Sequence, residues 1–342
     1  MRMQAGALAA VVGVTLCVSG VIARAQGSAS GLEVLQVRPN FYMIVGAGAN
    51  IGAQIGSNGV ILVNAGTAEA SDEVVAALKK LTNQPIRYII NTSADPDVVG
   101  GNDTLAKAGR SISTFAVGAN RTTVAGTDVD VARVFAHENI LTRMRSPGPG
   151  GTALFPSEVW PSETFLQRRQ TMYFNDEGIE IIHQPAAHTD ADAIVFFRKS
   201  DVVVAGNLID TDRFPVIDLA RGGSLQGEID ALNRIIEMAI PPGPFVGLPN
   251  GSNATATLQG GTDVVTGHGR IYRQIDVVNY RDMVVVVSEI VQDMITRKMT
   301  LDQIKAADPA KPYKARYGAT SGPWTTNDFV EAVYKSLTNA KS

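Results

Sequence analysis

The stretch Asn91-Thr92-Ser93-Ala94-Asp95-Pro96-Asp97-Val98-Val99-Gly100-Gly101-Asn102 follows an apolar run and has the frame of a metal-binding loop from which most imidazoles are missing. The single cysteine, Cys17, lies within the apolar N-terminal run, so any metal centre must draw on His, Asp, Glu or Asn. Oxygen and imidazole donors of that kind serve zinc, manganese or iron rather than softer ions. The question the stretch raises is whether enough of the donor set survives to hold a cation.

Strands and helices must deliver these side chains to one place. Three β-rich runs, Phe41 to Val45, Asn50 to Ile55 and Val60 to Val63, are separated by glycine-rich turns, with Ser57-Asn58-Gly59 as a hairpin signal. They predict an antiparallel meander. An amphipathic helix from Ser71, read as its N-cap, follows, and Pro85-Ile86-Arg87-Tyr88-Ile89-Ile90 is the strand that carries Ser93 and its neighbours at its C-terminal end. Gly100-Gly101-Asn102-Asp103 opens a helix to about Lys107, and residues 121–161 are less regular. The second half repeats the plan: strands around Ile179–His183, Ala193–Lys199 and Asp201–Asn207, a helix opened by Ser224, and a short strand ending at His268. From Tyr272 the chain is helical, with caps expected at Thr300 and Thr326. Two β-rich halves flanked by helices predict two packed sheets with helices outside, one α+β layered domain.

The first residues combine Arg2, an apolar run from Ala5 to Ile22 and the small-x-small site Ala23-Arg24-Ala25, the pattern of a cleaved signal peptide over residues 1–25. An uncleaved anchor helix is the competing reading, and a lipoprotein is disfavoured because Leu16 precedes Cys17. A secreted or periplasmic location is therefore expected, with no stable membrane anchor after cleavage. The net charge of −3 and pI near 5.9 give no reason to expect nucleic acid, which needs a clustered basic surface. A small-molecule substrate or ligand is the expected partner.

Taken together, Gly59-Val60-Ile61-Leu62-Val63-Asn64-Ala65-Gly66, the stretch at 91–102, Pro185-Ala186-Ala187-His188-Thr189-Asp190-Ala191-Asp192, the run at 202–210 and Val264-Val265-Thr266-Gly267-His268-Gly269 come in the order and spacing of the metallo-β-lactamase superfamily. The chain resembles its secreted members related to class B β-lactamases and glyoxalase II-type hydrolases. The resemblance implies an αββα four-layer sandwich over residues 32–285 and a helical C-terminal extension over 286–342. Members of this family hold one or two zinc ions through a His-x-His-x-Asp-His loop, a later His, a bridging Asp or Cys and a final His. The metal-bound water, its pKa lowered towards about 7, attacks a carbonyl or phosphoryl centre.

Carried across position by position, the first two loop imidazoles fall on Ser93 and Asp95, the aspartate on Asp97 and the third imidazole on Val98. The later His falls on His188, the bridging residue on Asn207 and the final His on His268. The resemblance thus implies one divalent ion, Zn, Mn or Fe, held by Asp95, Asp97, His188 and His268, with Ser93 and Asn207 as weaker donors and Asp97 as the catalytic base. Val98 has no donor atom, and Asn207 lacks the charge that bridges two cations, which argues against a dinuclear centre. The alternative is that no metal binds. Asp190 and Asp192 are candidates to orient His188, and capping or turn roles account for them equally well. His183 and His137 read as packed or hydrogen-bonded, and Asn64 replaces the Asp usual in its turn. The glycine-rich 46–52 stretch lacks the strand-to-helix context of a dinucleotide fingerprint.

Two functions follow as expectations. One is an exported, mononuclear metal-dependent hydrolase of an ester, thioester or lactam. The other is a non-catalytic descendant that keeps the fold and binds a small molecule or a partner.

Overall fold

Period-two alternation of apolar residues gives this chain two sheets whose inner faces meet and whose outer faces carry helices. The computed structural model describes residues 31–111, 131–148, 151–244 and 258–339, so the expected signal peptide lies outside the described residues. The first sheet orders strands β1 (Glu33–Arg38), β2 (Phe41–Val45), β3 (Ile51–Gly56), β4 (Gly59–Val63), β5 (Ile86–Ile90), β6 (Arg133–His137) and β7 (Glu163–Phe165) side by side. Pairing is antiparallel from β1 to β4 and parallel from β4 to β7. The second sheet is built from β8 (Arg169–Phe174), β9 (Glu177–Gln184), β10 (Asp192–Phe197) and β11 (Val202–Asp210), a two-stranded ribbon of β12 (Gly243–Pro244) and β13 (Leu258–Gln259) stands apart, and β14 (Asp263–His268) pairs parallel with β11.

Alternation along single strands shows how the layers form. In β4, Ile61 and Val63 enter the layer between the sheets, while Val60 and Leu62 face out beneath α1 (Ser71–Leu81). In β11, Val202 and Val204 point inward and Val203 and Ala205 outward. Phe41 packs edge-on against Phe197 across the inner layer at 4.9 Å between ring centroids. Each such fully buried side chain stabilises by about 1.5–3 kcal/mol relative to exposure. The result is the αββα sandwich, with α1 and α3 (Asn102–Lys107, which follows the single turn α2, Pro96–Val99) on one face. On the other face lie α5 (Leu225–Met238), α6 (Gln274–Thr296) and α9 (Thr326–Asn339), after the intervening α4 (Glu138–Arg145), α7 (Leu301–Ala307) and α8 (Lys314–Tyr317). Helix α6 runs unbroken through residues 285 and 286, and its Tyr280, Val284 and Val287 share a cluster with Leu232 and Ile235 of α5.

Several local expectations change. Strands β1 and β8 exist where the sequence reading had none, and β6 and α4 occupy part of the region expected to be irregular. Ser71 is inside α1 and donates to the Ala68 carbonyl, leaving Ala70 at the cap. Helix α9 is closed by Thr325 rather than Thr326, because Thr325 Oγ1 accepts from Asp328 N while Thr325 N donates to the Asp328 carboxylate. Ser224 and Thr300 cap as expected, accepting from Gly227 N and Gln303 N. No helix among the described residues is long and apolar enough to cross a membrane.

Where β5 ends, the chain must cross from the first sheet towards the second, and Thr92 is the fixed point of that crossing. Its N–H and hydroxyl both donate to Asn64 Oδ1, at 3.2 and 2.8 Å, and its carbonyl accepts from Ala193 N at 2.8 Å. Asn64 holds a left-handed φ of 70°, which Asn tolerates better than most side chains. Gly206, at φ 57°, lies so close to Thr92 that a Cβ there would collide with its hydroxyl.

One buried group is energetically costly. Glu228 on α5 is fully buried, and neither carboxylate oxygen has a hydrogen-bond partner. Burial, together with the nearby Asp192 charge, pushes its carboxyl well above the usual range. A carboxyl that keeps its proton when folded and sheds it when unfolded costs stability as pH rises above 4.5. Glu228→Met, similar in length and apolar, is therefore expected to melt higher than the native chain at pH 8, by about 2–4 °C per kcal/mol relieved. The gain should shrink as pH approaches 4.5. A lower melting temperature at pH 8 would show that the carboxyl is satisfied after all.

Candidate functional site

The candidate residues gather at one rim of the sandwich, in the loop past β5, in the turn between β9 and β10, in the last part of β11 and at the end of β14. This is where loops, freed from ladder hydrogen bonds, can present polar side chains. Asp95 precedes the single turn α2, whose Pro96 supplies the fixed φ that a first helical position favours. Asp97 follows on that turn. A Cβ at Gly48 would press on the Asp97 backbone and Thr67, so the loop can seat there only against a glycine.

Asp95 is the hub. Its Oδ2 accepts from Ser93 Oγ at 2.8 Å, His188 Nε2 at 3.0 Å and Asn207 Nδ2 at 2.9 Å, and its Oδ1 accepts from Arg221 Nη1 at 2.7 Å. Three of those donors converge on Oδ2 and one on Oδ1, against roughly two acceptor sites on each oxygen of an ionised carboxylate. Burial alone would raise its pKa, but the hydrogen bond and charge of His188, followed by those of Arg221, outweigh it and hold the carboxyl well below the usual range.

His188 is fixed from its other side by the Val216 carbonyl, 2.7 Å from Nδ1. A carbonyl and a carboxylate can only accept, so both ring nitrogens must donate and the ring is an imidazolium. Burial opposes that charge, but the Asp95 hydrogen bond and the charges of Asp192 and Asp95 prevail and push His188 up to about 10.

The second pair lies beside the first and is more open. His268 Nε2 stands 2.9 Å from Asp97 Oδ2, and its Nδ1 faces Asp210 Oδ2 at 3.5 Å. Asp210 is itself held by Arg213 Nε at 2.5 Å and by Asp212 N. Asp97 and His268 are each more than a quarter exposed, whereas Asp95 and His188 are nearly buried.

Neither carboxylate expected to orient His188 touches its ring. Asp192 accepts from Thr189 N and Oγ1, closing the turn that carries His188, and burial pushes its carboxyl up to about 7. Asp190 is clamped by Arg143 through Nε at 2.8 Å and Nη2 at 2.6 Å. His183 and His137, read from sequence as packed, stack on each other at 3.6 Å, with His137 Nδ1 accepting from Asn139 N at the head of α4. Val98 is fully buried in an apolar cluster, as its lack of donors requires. Arg221, Asp210 and Asp218 were not singled out in the sequence. Arg221 sits in an unremarkable Leu-Ala-Arg-Gly-Gly run and meets Asp95 only through tertiary folding.

These residues do not fit a metal. At Asp95 the carboxylate accepts from four internal donors, three of them on Oδ2, and His188 Nε2 donates a proton rather than offering a lone pair. At His268, Asp97 and Asp210 approach different ring nitrogens, so the three side chains string out instead of closing around a point. Among the described residues, no group of three or more His, Cys, Asp or Glu side chains could hold a metal ion. Asn207 Oδ1, buried next to this network, has no hydrogen-bond partner. A separate groove lined by Val75, Leu78, Thr82, Pro85 and Ala108 contains none of these side chains.

An αββα sandwich whose polar loops gather at one rim, in this motif order, defines the class of the metallo-hydrolase fold. The Metallo-beta-lactamase superfamily profile matches residues 46–268, and the chain belongs to that superfamily. Solved structures with the same fold include a metallo-β-lactamase from Pontibacter korlensis, at 16% identity and a TM-score of 0.51, covering 74% of this chain and 99% of that one. They also include the stereoselective inverting sec-alkylsulfatase Pisa1 from Pseudomonas sp., at 13% identity and a TM-score of 0.55. That match covers 88% of this chain but only 49% of the sulfatase. No curated protein sequence matches the chain.

The imidazole stack makes stability depend on pH. Burial first, and for His137 also the neighbouring His183, lowers both rings from 6.5, so the fold favours their neutral forms. Unfolded histidines take up protons below about 6.5, so stability should be lost as pH falls below that value. The variant carrying His137→Asn and His183→Gln should lose less stability between pH 7 and pH 5 in urea melts. An unchanged slope would assign the acid loss to other groups.

Proposed function

We propose that this chain is an exported metallo-β-lactamase-fold protein that binds a small polar molecule at the Asp97–His268 rim and does not work through a bound metal pair. The observation that carries the reading is the Asp95 carboxylate, whose oxygens are taken by Ser93, His188, Asn207 and Arg221. One further feature supports a ligand. The Asp97–His268 pair is partly exposed, so a polar molecule can reach it. The leader-like residues 1–25 support export to the periplasm or the medium, and the net charge of −3 supports a partner other than nucleic acid.

The second reading, a mononuclear metal-dependent hydrolase of an ester, thioester or lactam, is favoured by one observation. Asp97 and His268 keep the residue types of their family positions and meet at 2.9 Å on an accessible surface. Elemental analysis of protein supplemented with zinc, manganese or iron, paired with turnover assays on esters, thioesters, cephalosporins and alkyl sulfates, separates the two. The binding reading expects metal well below one equivalent and no chelator-sensitive turnover. Stoichiometric metal together with turnover that a chelator abolishes would establish the hydrolase instead.

A further inference from the structure

Arg221 brings a positive charge to Asp95, a residue at one of the family's ligand positions. We infer that Arg221 supplies that charge to the Asp95–His188 corner from within the chain, so that the corner is held by a fixed ion cluster and takes no divalent cation. The inference deepens the metal-independent reading above, but it concerns what holds the site together and is tested on stability rather than turnover.

Arg221 is built into this position. It ends a single 3-10 turn, Leu219–Arg221, whose preceding Asp218 accepts from Arg221 N at 3.0 Å and from Nε at 2.7 Å. The Arg221 carbonyl is held by Arg143 Nη2 at 2.8 Å and Asp190 N at 3.0 Å. Gly222 then turns the chain at a left-handed φ of 82°, and Gly223 passes so close to the His188 carbonyl that a Cβ would collide with it. Backbone and side chain are thus both clamped before Nη1 reaches Asp95 Oδ1. A guanidinium is planar and always charged, so once aimed it remains a cation.

The ion pairs give the same answer. The Arg221 guanidinium spans two carboxylates, Asp95 and Asp218, each at 2.7 Å. Asn207, at the position of the family's bridging anion, adds no charge. A divalent ion entering here would meet the guanidinium and compete with four internal donors for the Asp95 carboxylate. Asp95 and His188 are nearly out of water there, while the Arg221 side chain is a third exposed, so solvent screens that repulsion only in part.

The test uses the full-length chain and follows thermal melting with EDTA, with zinc chloride and with neither. Native protein should melt at the same temperature in all three, and cobalt chloride should give no visible band that depends on Asp95. Arg221→Met should lower the melting temperature by roughly 5 °C or more, because it strands a buried carboxylate. Arg221→Lys should retain part of the difference. Adding Asp95→Asn to Arg221→Met should recover part of the loss, since neither charge is then left alone, and this variant reports even if the single one fails to fold. A zinc-dependent rise in native melting that Asp95→Asn abolishes would overturn the inference. So would Arg221→Met melting with the native chain. Chelator-sensitive turnover without that zinc effect would sink the proposed function and leave this inference standing.

Discussion

The rim of this molecule depends on a single carboxylate that accepts from four internal donors. Asp95 collects one hydroxyl, one imidazolium, one amide and one guanidinium, drawn from four separated segments of the chain. A nearly buried anion is tolerated only when it is paired and hydrogen-bonded, so the positions of Ser93, His188, Asn207 and Arg221 are mutually constrained. Removing one donor leaves the others arranged around an uncompensated charge. An added ligand at Oδ2 would have to displace one of three donors already there.

The layers supply the precision that such a hub requires. Thr92 ties the end of β5 to Asn64 on one sheet and to Ala193 on the other, and Gly206 lets β11 pass close beside it. Asn207 therefore reaches Asp95 from a strand already locked to the inner core through Val202 and Val204. Asp97 and His268 lie one step outside that fixed region, on the single turn α2 and at the end of β14. The site thus has an inner part that is structural and an outer part that solvent reaches.

Much of this was legible in the sequence, and the parts that were not have physical reasons. The order of the motifs and the alternation in segments such as Val60–Val63 are local signals, and they led to the correct layered fold. Strand β1 is only half-buried and shows no clean alternation, and β8 is an edge strand that fully buries only Phe174, so neither carries a strong pattern. The cap of α9 was displaced by one residue because two threonines adjoin, and only the placement of Asp328 selects Thr325. The pairing of Asp95 with His188 followed from family spacing, but what they hold did not. Arg221 lies 126 residues from Asp95 and carries no local mark of its role. Asp190 and Asp192 follow His188 closely in sequence, yet their side chains serve Arg143 and the turn at Thr189.

The clamp on Arg221 also bears on reversibility. Putting imidazoles back at 93, 95 and 98 and a carboxylate at 207 would recreate the family's ligand list while leaving the guanidinium, its Asp218 partner and the tight Gly222-Gly223 turn in place. The restored ligands would then compete with a resident cation whose backbone is anchored by groups outside the metal loop. The 218–223 segment is anchored by Arg143, Asp190 and Asp218, independently of the 91–102 loop, so substitutions confined to that loop and to Asn207 leave the guanidinium in place.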